Sequence, residues 1–185
     1  MKKTAVFYAD GFEEIEALTP VDILRRGGVN VVTVSVMGDR LIHGSHDIDI
    51  YADICIEELD FDTVDMIVLP GGKLGHQNLE KCELLMDKVK EFDKEGKFVA
   101  AICAAPTILG RLGILKGRLA TCYGGMEDAL EGADLTKEPV AVSDHIITSR
   151  GMGTSVEFGL KLLEVLTDKT NADKIGASVM VPGMG

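Results

Sequence analysis

The chain has 185 residues, 46% of them hydrophobic, and a formal net charge of −11. That is enough apolar material for one substantial core, and with no Pro/Ser-rich linker or charge block, one domain over residues 1–185 is expected. The acidic charge and scattered lysines and arginines disfavour direct nucleic-acid binding. No stretch reaches the roughly 18 apolar residues of a membrane span, and the first residues lack a signal peptide's apolar region, which predicts a soluble cytoplasmic protein.

Residues 4–9 read as a short apolar strand. Asp10 and Glu13 have the spacing of a helix-starting capping box, with Ile15, Leu18, Val21 and Leu24 as the core stripe and Glu13 and Glu16 along a flank. Pro20 should kink this helix, because its ring crowds the carbonyl of Glu16. On the helix alone, a surface role for Glu16 carries more weight than a functional one. Residues 29–36 form a β-branched strand, and residues 40–50 a small hairpin outside the main layer, with turns at Gly44 and Asp47 and with His43 and His46 as exposed loop residues.

Residues 65–70 read as a buried strand closed by a Gly-rich loop to Gly75, which lacks the spacing of a phosphate-binding Walker loop. Its free amides suit an oxyanion. A helix over 83–95 points Leu85, Val89 and Phe92 inward and stops at Gly96.

Residues 98–102 are too continuously apolar for a half-exposed strand, and the residues after Pro106 repeat apolar positions at helical spacing. Strand, sharp turn and helix place Cys103 at the carboxyl edge of a parallel sheet. A helix N-terminus there stabilises a thiolate, the reactive form of cysteine. A small buried hydrophobe is the equally weighted alternative. The other cysteines, Cys55, Cys82 and Cys122, complete no CxxC pair and no metal-ligand spacing, so neither disulfides nor a bound metal is expected.

Residues 118–122 form a further short strand, 140–142 and 146–149 a hairpin around Asp144 and His145, and residues from 151 to 166 and 171–181 two last helices. Repeated β-then-α alternation specifies an α/β fold with a mostly parallel sheet covered on both sides. Three loops then meet at the carboxyl edge: 11–16, 70–75 and 103–106. They supply a nucleophile, an acid/base and amide donors, the parts of covalent carbonyl chemistry.

The segments GFEEIE at 11–16, LPGG at 69–72, AICAAP at 101–106 and TSRGMGTS at 148–155 resemble, in order, the signature segments of the DJ-1/ThiJ/PfpI superfamily, DJ-1 branch. The resemblance runs over nearly the whole chain. It implies a flavodoxin-like three-layer sandwich, similar to class I glutamine amidotransferases, and a homodimer. It also implies that Cys103 is the elbow nucleophile and Glu16 its hydrogen-bonded general acid/base. The amides of Gly72 and Ala104 would form the anion pocket, with Gly71, Cys122 and Glu13 as neighbours. The branch's activities include cofactor-independent glyoxalase, deglycation of protein and nucleotide groups, chaperone action and oxidative sensing.

Departures from the pattern narrow this. Cys122 stands where some relatives carry histidine, and Ala104 where the protease-like branch does. No Cys-His pair can be assembled from those positions, which argues against a peptidase. His46, in the hairpin, and Met152, in the Gly-x-Gly loop, also depart from the branch pattern. The expected function is dicarbonyl chemistry without cofactor or metal, the alternative a redox-sensing or chaperone-like protein using the same thiol. A carboxyl buried beside a thiolate should have its pKa raised, which suits a group that must give and take a proton near neutrality.

Overall fold

The structure is a computed structural model and describes residues 2–184. The chain begins with β1 (Lys3–Tyr8), α1 (Glu14–Arg26) and β2 (Asn30–Ser35), a right-sized βαβ unit. A two-stranded antiparallel excursion, β3 (Leu41–His43) with β4 (Asp49–Tyr51), precedes the short edge strand β5 (Ile54–Cys55). Then come β6 (Met66–Leu69), α2 (Gly75–Glu80), α3 (Glu83–Glu95), β7 (Phe98–Ile102) and α4 (Pro106–Arg111). The remainder holds β8 (Leu119–Ala120), β9 (Asp134–Leu135), β10 (Val140–Ser143), β11 (Ile146–Ser149), α5 (Ser155–Leu166) and α6 (Lys169–Ser178).

Seven strands form one sheet in the order β10-β11-β7-β6-β1-β2-β5, parallel throughout except for the β10–β11 hairpin at one edge. Side chains alternate across it. Phe7, Ile67, Leu69, Val99 and Ala101 face a core shared with Leu79 of α2, Val89 and Phe92 of α3 and Leu109 of α4. Val6, Tyr8, Val68, Ala100 and Ile102 face the opposite core, closed by Val21 and Leu24 of α1, Phe158 and Leu162 of α5 and Ile175 of α6. Strands buried on both faces must be apolar without a break, which is why β6 and β7 lack a polar residue.

From β1 the chain winds outward to β2 on one side, and from β6 to β7 on the other, so the order reverses between β1 and β6. A crevice opens at the carboxyl ends of strands at such a point. The loops that follow β1, β6 and β7 all rim it.

Several local expectations are corrected. The cap of α1 is Glu13, whose Oε2 accepts the Glu16 amide at 2.8 Å, while Asp10 accepts the His43 amide instead. Ile15 and Leu18 are 47% and 38% exposed, whereas Glu14 and Glu16 are buried. The buried stripe of α1 is Glu14, Ala17, Val21 and Leu24, because internal hydrogen bonds satisfy both carboxylates and remove the penalty for burying them. β8 leaves the main sheet to pair with β9, and α2 begins immediately after the Gly-rich loop.

Candidate active site

Cys103 follows β7 and sits in the left-handed region at φ 66°. A non-glycine residue there costs about 1–3 kcal/mol and persists only when its surroundings hold it. Here its N–H donates to the Ser149 carbonyl at 3.0 Å, and its own carbonyl accepts the Tyr123 amide at 2.8 Å. The elbow is thus pinned from both sides. The turn brings the Ala104 amide onto the sulfur, and the amide of Gly72, from the loop after β6, reaches it as well.

Two glycines make room for this approach. Gly72 adopts φ 100°, and a Cβ there would collide with the backbone of residues 11–13. A Cβ on Gly71 would lie 2.5 Å from Glu16 Oε2 and 2.7 Å from Cys103 Cβ. With no side chain, the Gly71 amide instead donates to Glu16 Oε2 at 3.1 Å.

Glu16 is 1% exposed. Burial pushes its carboxyl up to about 7, against the opposing effect of hydrogen bonds from the Cys103 thiol and the amides of Gly71 and Met152. The thiol is pushed up to about 12, first by burial, then by the charge of Glu16 and the hydrogen bond to it. The amides of Ala104 and Gly72 favour ionisation but are outweighed, and α4 is only six residues long. Thiol and carboxyl are thus coupled: burial raises both, and the hydrogen bond between them draws the carboxyl down and the thiol up.

A cavity of about 510 Å³ opens above the pair. The expected residues Glu13, Glu16, Gly72, Cys103 and Ala104 line it. Gly71 lies behind Glu16 as its hydrogen-bond donor. Cys122 does not join the lining: it is buried in the core on the other face of the sheet from Cys103, with its Sγ 3.4 Å from the Tyr123 carbonyl. The adjacent Tyr123 reaches the cavity wall instead.

His46, Lys73, His76 and Met152 also line the cavity and were not assigned to it from the sequence. His76 is 5% exposed, and its Nδ1 lies 2.8 Å from the Gly72 carbonyl, bracing the amide-bearing loop. Its signal was absent because α2 itself was not foreseen. Buried Glu14 engages the His46 amide and ring, and no local pattern pointed to it, since its partner lies 32 residues along the chain. Glu13, Glu14 and His46 place ligand-type atoms within 4.8 Å of one another, but the Glu14 oxygens are already taken by His46 and Ser45.

Fold and site together define an open α/β protein with a cysteine elbow and a buried glutamate partner at its switch point. The DJ-1/PfpI family model matches residues 2–165, and the chain belongs to that family. It is 38% identical to Protein DJ-1 homolog B of Arabidopsis thaliana across 100% of this chain, but spans only 43% of that relative's length. It is 33% identical to Glutathione-independent glyoxalase DJ-1 of Schizosaccharomyces pombe, covering 98% of this chain and 100% of that one. The solved structure "Toxoplasma gondii DJ-1, oxidized" superposes with a TM-score of 0.94 at 36% identity, over 98% of this chain and all of the other. No helix among the described residues is long and apolar enough to cross a membrane.

Proposed function

We propose that this chain is a cofactor-independent cysteine enzyme acting on reactive dicarbonyls, of the glyoxalase or deglycase type, in protection against carbonyl and oxidative stress. One observation carries the reading: a buried carboxyl is hydrogen-bonded to a thiol beneath two inward-facing amides, and burial raises its pKa. The printed name of the fission-yeast relative supports the same chemistry.

With methylglyoxal the steps balance without a cofactor. The Cys103 proton passes to Glu16 as sulfur adds to the aldehyde carbon, and the carbonyl π electrons move to oxygen. The amides of Gly72 and Ala104 receive that oxyanion, and Glu16 returns the proton to give a hemithioacetal. Glu16 then removes the hydrogen on C1 as a proton and passes it to the C2 oxygen, forming an enediol. It next takes the proton of the C1 hydroxyl and delivers it to C2, which leaves a lactoyl thioester on Cys103. Water adds to the thioester, the C–S bond breaks, and lactate leaves as the thiol regains its proton from that water. Glu16 is the acid/base that each transfer uses.

Purified, reduced protein is expected to convert methylglyoxal to lactate with no glutathione or metal added. Cys103→Ser and Glu16→Ala are expected to abolish the conversion. No turnover above buffer would sink the proposal.

A second reading, a redox sensor or chaperone-like protein, is favoured by the same pocket. Its amides and a protonated Glu16 are donors for a sulfinate on Cys103, and a relative's structure carries the description "oxidized". Client protection that depends on prior oxidation of Cys103 would support this reading. In either role the protein is read as a cytoplasmic homodimer of single domains (residues 1–185), consistent with the uncovered apolar residues Ile15, Leu18, Met152 and Val156.

A further inference from the structure

Behind the cavity wall lies a carboxylate that the mechanism above does not use. Glu14 is 2% exposed, and every hydrogen bond its side chain makes comes from the turn between β3 and β4. Its Oε1 accepts the His46 amide at 2.6 Å; its Oε2 lies 2.8 Å from His46 Nδ1 and accepts the Ser45 hydroxyl at 3.3 Å. One buried carboxylate thus fixes both the backbone and the ring of an otherwise exposed histidine. With Nδ1 turned to Glu14, only Nε2 of the ring remains for a ligand, and it makes no hydrogen bond to the described residues. His46 lines the same cavity as Cys103.

We propose that His46 is the anion-recognising residue of this cavity, so that the pocket selects aldehydes and 2-oxo aldehydes that carry a carboxylate. The substrate class rests on the dicarbonyl reading; the recognition itself does not. Burying Glu14 without partners would protonate it, but the bonds to His46 more than offset burial and hold its carboxyl below the ordinary range. The same contact, with the nearby carboxylates of Glu13 and Asp47, holds the imidazole above its ordinary range. Protonated, the ring presents an Nε2–H donor, and a charge-assisted bond to a carboxylate is about twice as strong as a neutral one.

The neighbouring charges show why such a donor matters. Glu13 and Glu16 line the cavity and would repel an anion, while Lys73 is the other cation in the lining. Lys73 lies on the loop after β6, whereas His46 is held from below by a buried partner. A flexible ammonium gives attraction without a fixed direction; a clamped imidazolium gives both. Glu14 is a positioning residue that acts through His46.

The test is alkylation of Cys103 by iodoacetate and by iodoacetamide, with the adduct quantified on the Cys103 peptide at neutral pH. Both reagents meet the same thiol, so the ratio of their rates removes its ionisation and reports only the preference for a carboxylate. It requires no dicarbonyl turnover, so it stays readable if the glyoxalase reading fails. The iodoacetate-to-iodoacetamide ratio is expected to fall threefold or more in His46→Asn and to recover in His46→Arg. Glu14→Gln, an isostere for the buried site, is expected to reproduce most of the fall with the His46 ring still present. Raising the pH through the titration of His46 should lower the parent ratio and leave that of His46→Asn nearly flat. A fall of less than threefold in His46→Asn, or a preference lost only in Lys73→Gln, overturns the assignment to His46. An unchanged ratio in Glu14→Gln overturns the positioning role of Glu14.

Discussion

The Cys103 thiol donates its hydrogen bond to the Glu16 carboxylate, and that bond acts on the two groups in opposite senses: it draws Glu16 down against burial and drives the thiol up. Removing the carboxylate while keeping its shape therefore separates nucleophile activation from proton transfer. In Glu16→Gln, the midpoint of iodoacetamide alkylation at Cys103 is expected to move to lower pH, because the charge and the acceptor that favour the thiol are gone. Methylglyoxal turnover should nevertheless fall by at least about 10²-fold, the low end of what a positioned acid/base contributes. A midpoint that stays or rises would refute the coupling.

The raised pKa of Glu16 also carries a stability prediction. Its carboxyl titrates at about 7 in the fold against a reference value of 4.5. The protonated form is favoured by folding, so this contribution is fully present below pH 4.5 and is lost as pH rises through 7. Its full size is about 3 kcal/mol. Glu16→Gln should thus match the parent near pH 4.5 and gain on it in urea denaturation up to pH 8. An advantage that does not grow with pH would contradict the linkage.

Gly71 and Gly72 separate the site from the fold. In Gly71→Ala the new methyl meets Glu16 Oε2 and Cys103 Cβ and comes within 3.1 Å of the Ile102 carbonyl oxygen. Activity is expected to drop by about 10²-fold, the effect of an ångström-scale displacement of a catalytic group, with a smaller loss of melting temperature than in Gly72→Ala. Gly72→Ala meets backbone and a forbidden φ, so it should cost stability as well, by about 1–3 kcal/mol. Equal melting temperatures for the two variants would show that the loop yields freely.

The legible parts of this protein were those where one local rule met no competitor. The apolar run 98–102 leads into Cys103 and Pro106 as read, the helix Glu83–Glu95 stops at Gly96 in the left-handed region, and β10 and β11 pair around Asp144. α1 was misread because hydrophobicity alone assigns Ile15 and Leu18 inward and glutamates outward. The buried face was instead decided by partners more than thirty residues away, Gly71 for Glu16 and His46 for Glu14. Long-range hydrogen bonds leave no periodic trace. The same reason hid His76, whose partner is the Gly72 carbonyl.

The apolar residues left outside on α1 give a test of assembly. Ile15 and Leu18, with Met152 and Val156, are large apolar side chains left exposed. Static light scattering at micromolar concentration is expected to report twice the 19.9 kDa chain mass. Leu18→Asp should return it to the monomer value without unfolding, because the side chain is not part of either core. A monomeric parent would remove the homodimer.

Cysteine oxidation is the last expectation, and the structure sharpens it. Susceptibility follows thiolate character and access. Burial and the charge of Glu16 hold the Cys103 thiol high, so its advantage lies in access: alone among the four cysteines it opens to the cavity, where it faces two amides and a carboxyl able to return its proton. Cys55 faces the carboxylates of Glu58 and Glu57, and Cys122 is buried outside that lining. Cys82 caps the start of α3 with no side-chain hydrogen bond. Limited peroxide is therefore expected to add two oxygens to the Cys103 peptide first. The product should stop at sulfinate, because a protonated Glu16 and the two amides are donors for that anion. A Cys103–Cys122 disulfide, an open route from the sequence, is not expected: the two side chains belong to cores on opposite faces of the sheet, and bridging requires Cβ atoms about 4 Å apart. Peptide mass mapping decides. Oxygen on Cys55 or Cys82 with Cys103 untouched would show that the elbow thiol is not activated, and a cross-linked Cys103–Cys122 pair would show that the elbow rearranges in solution.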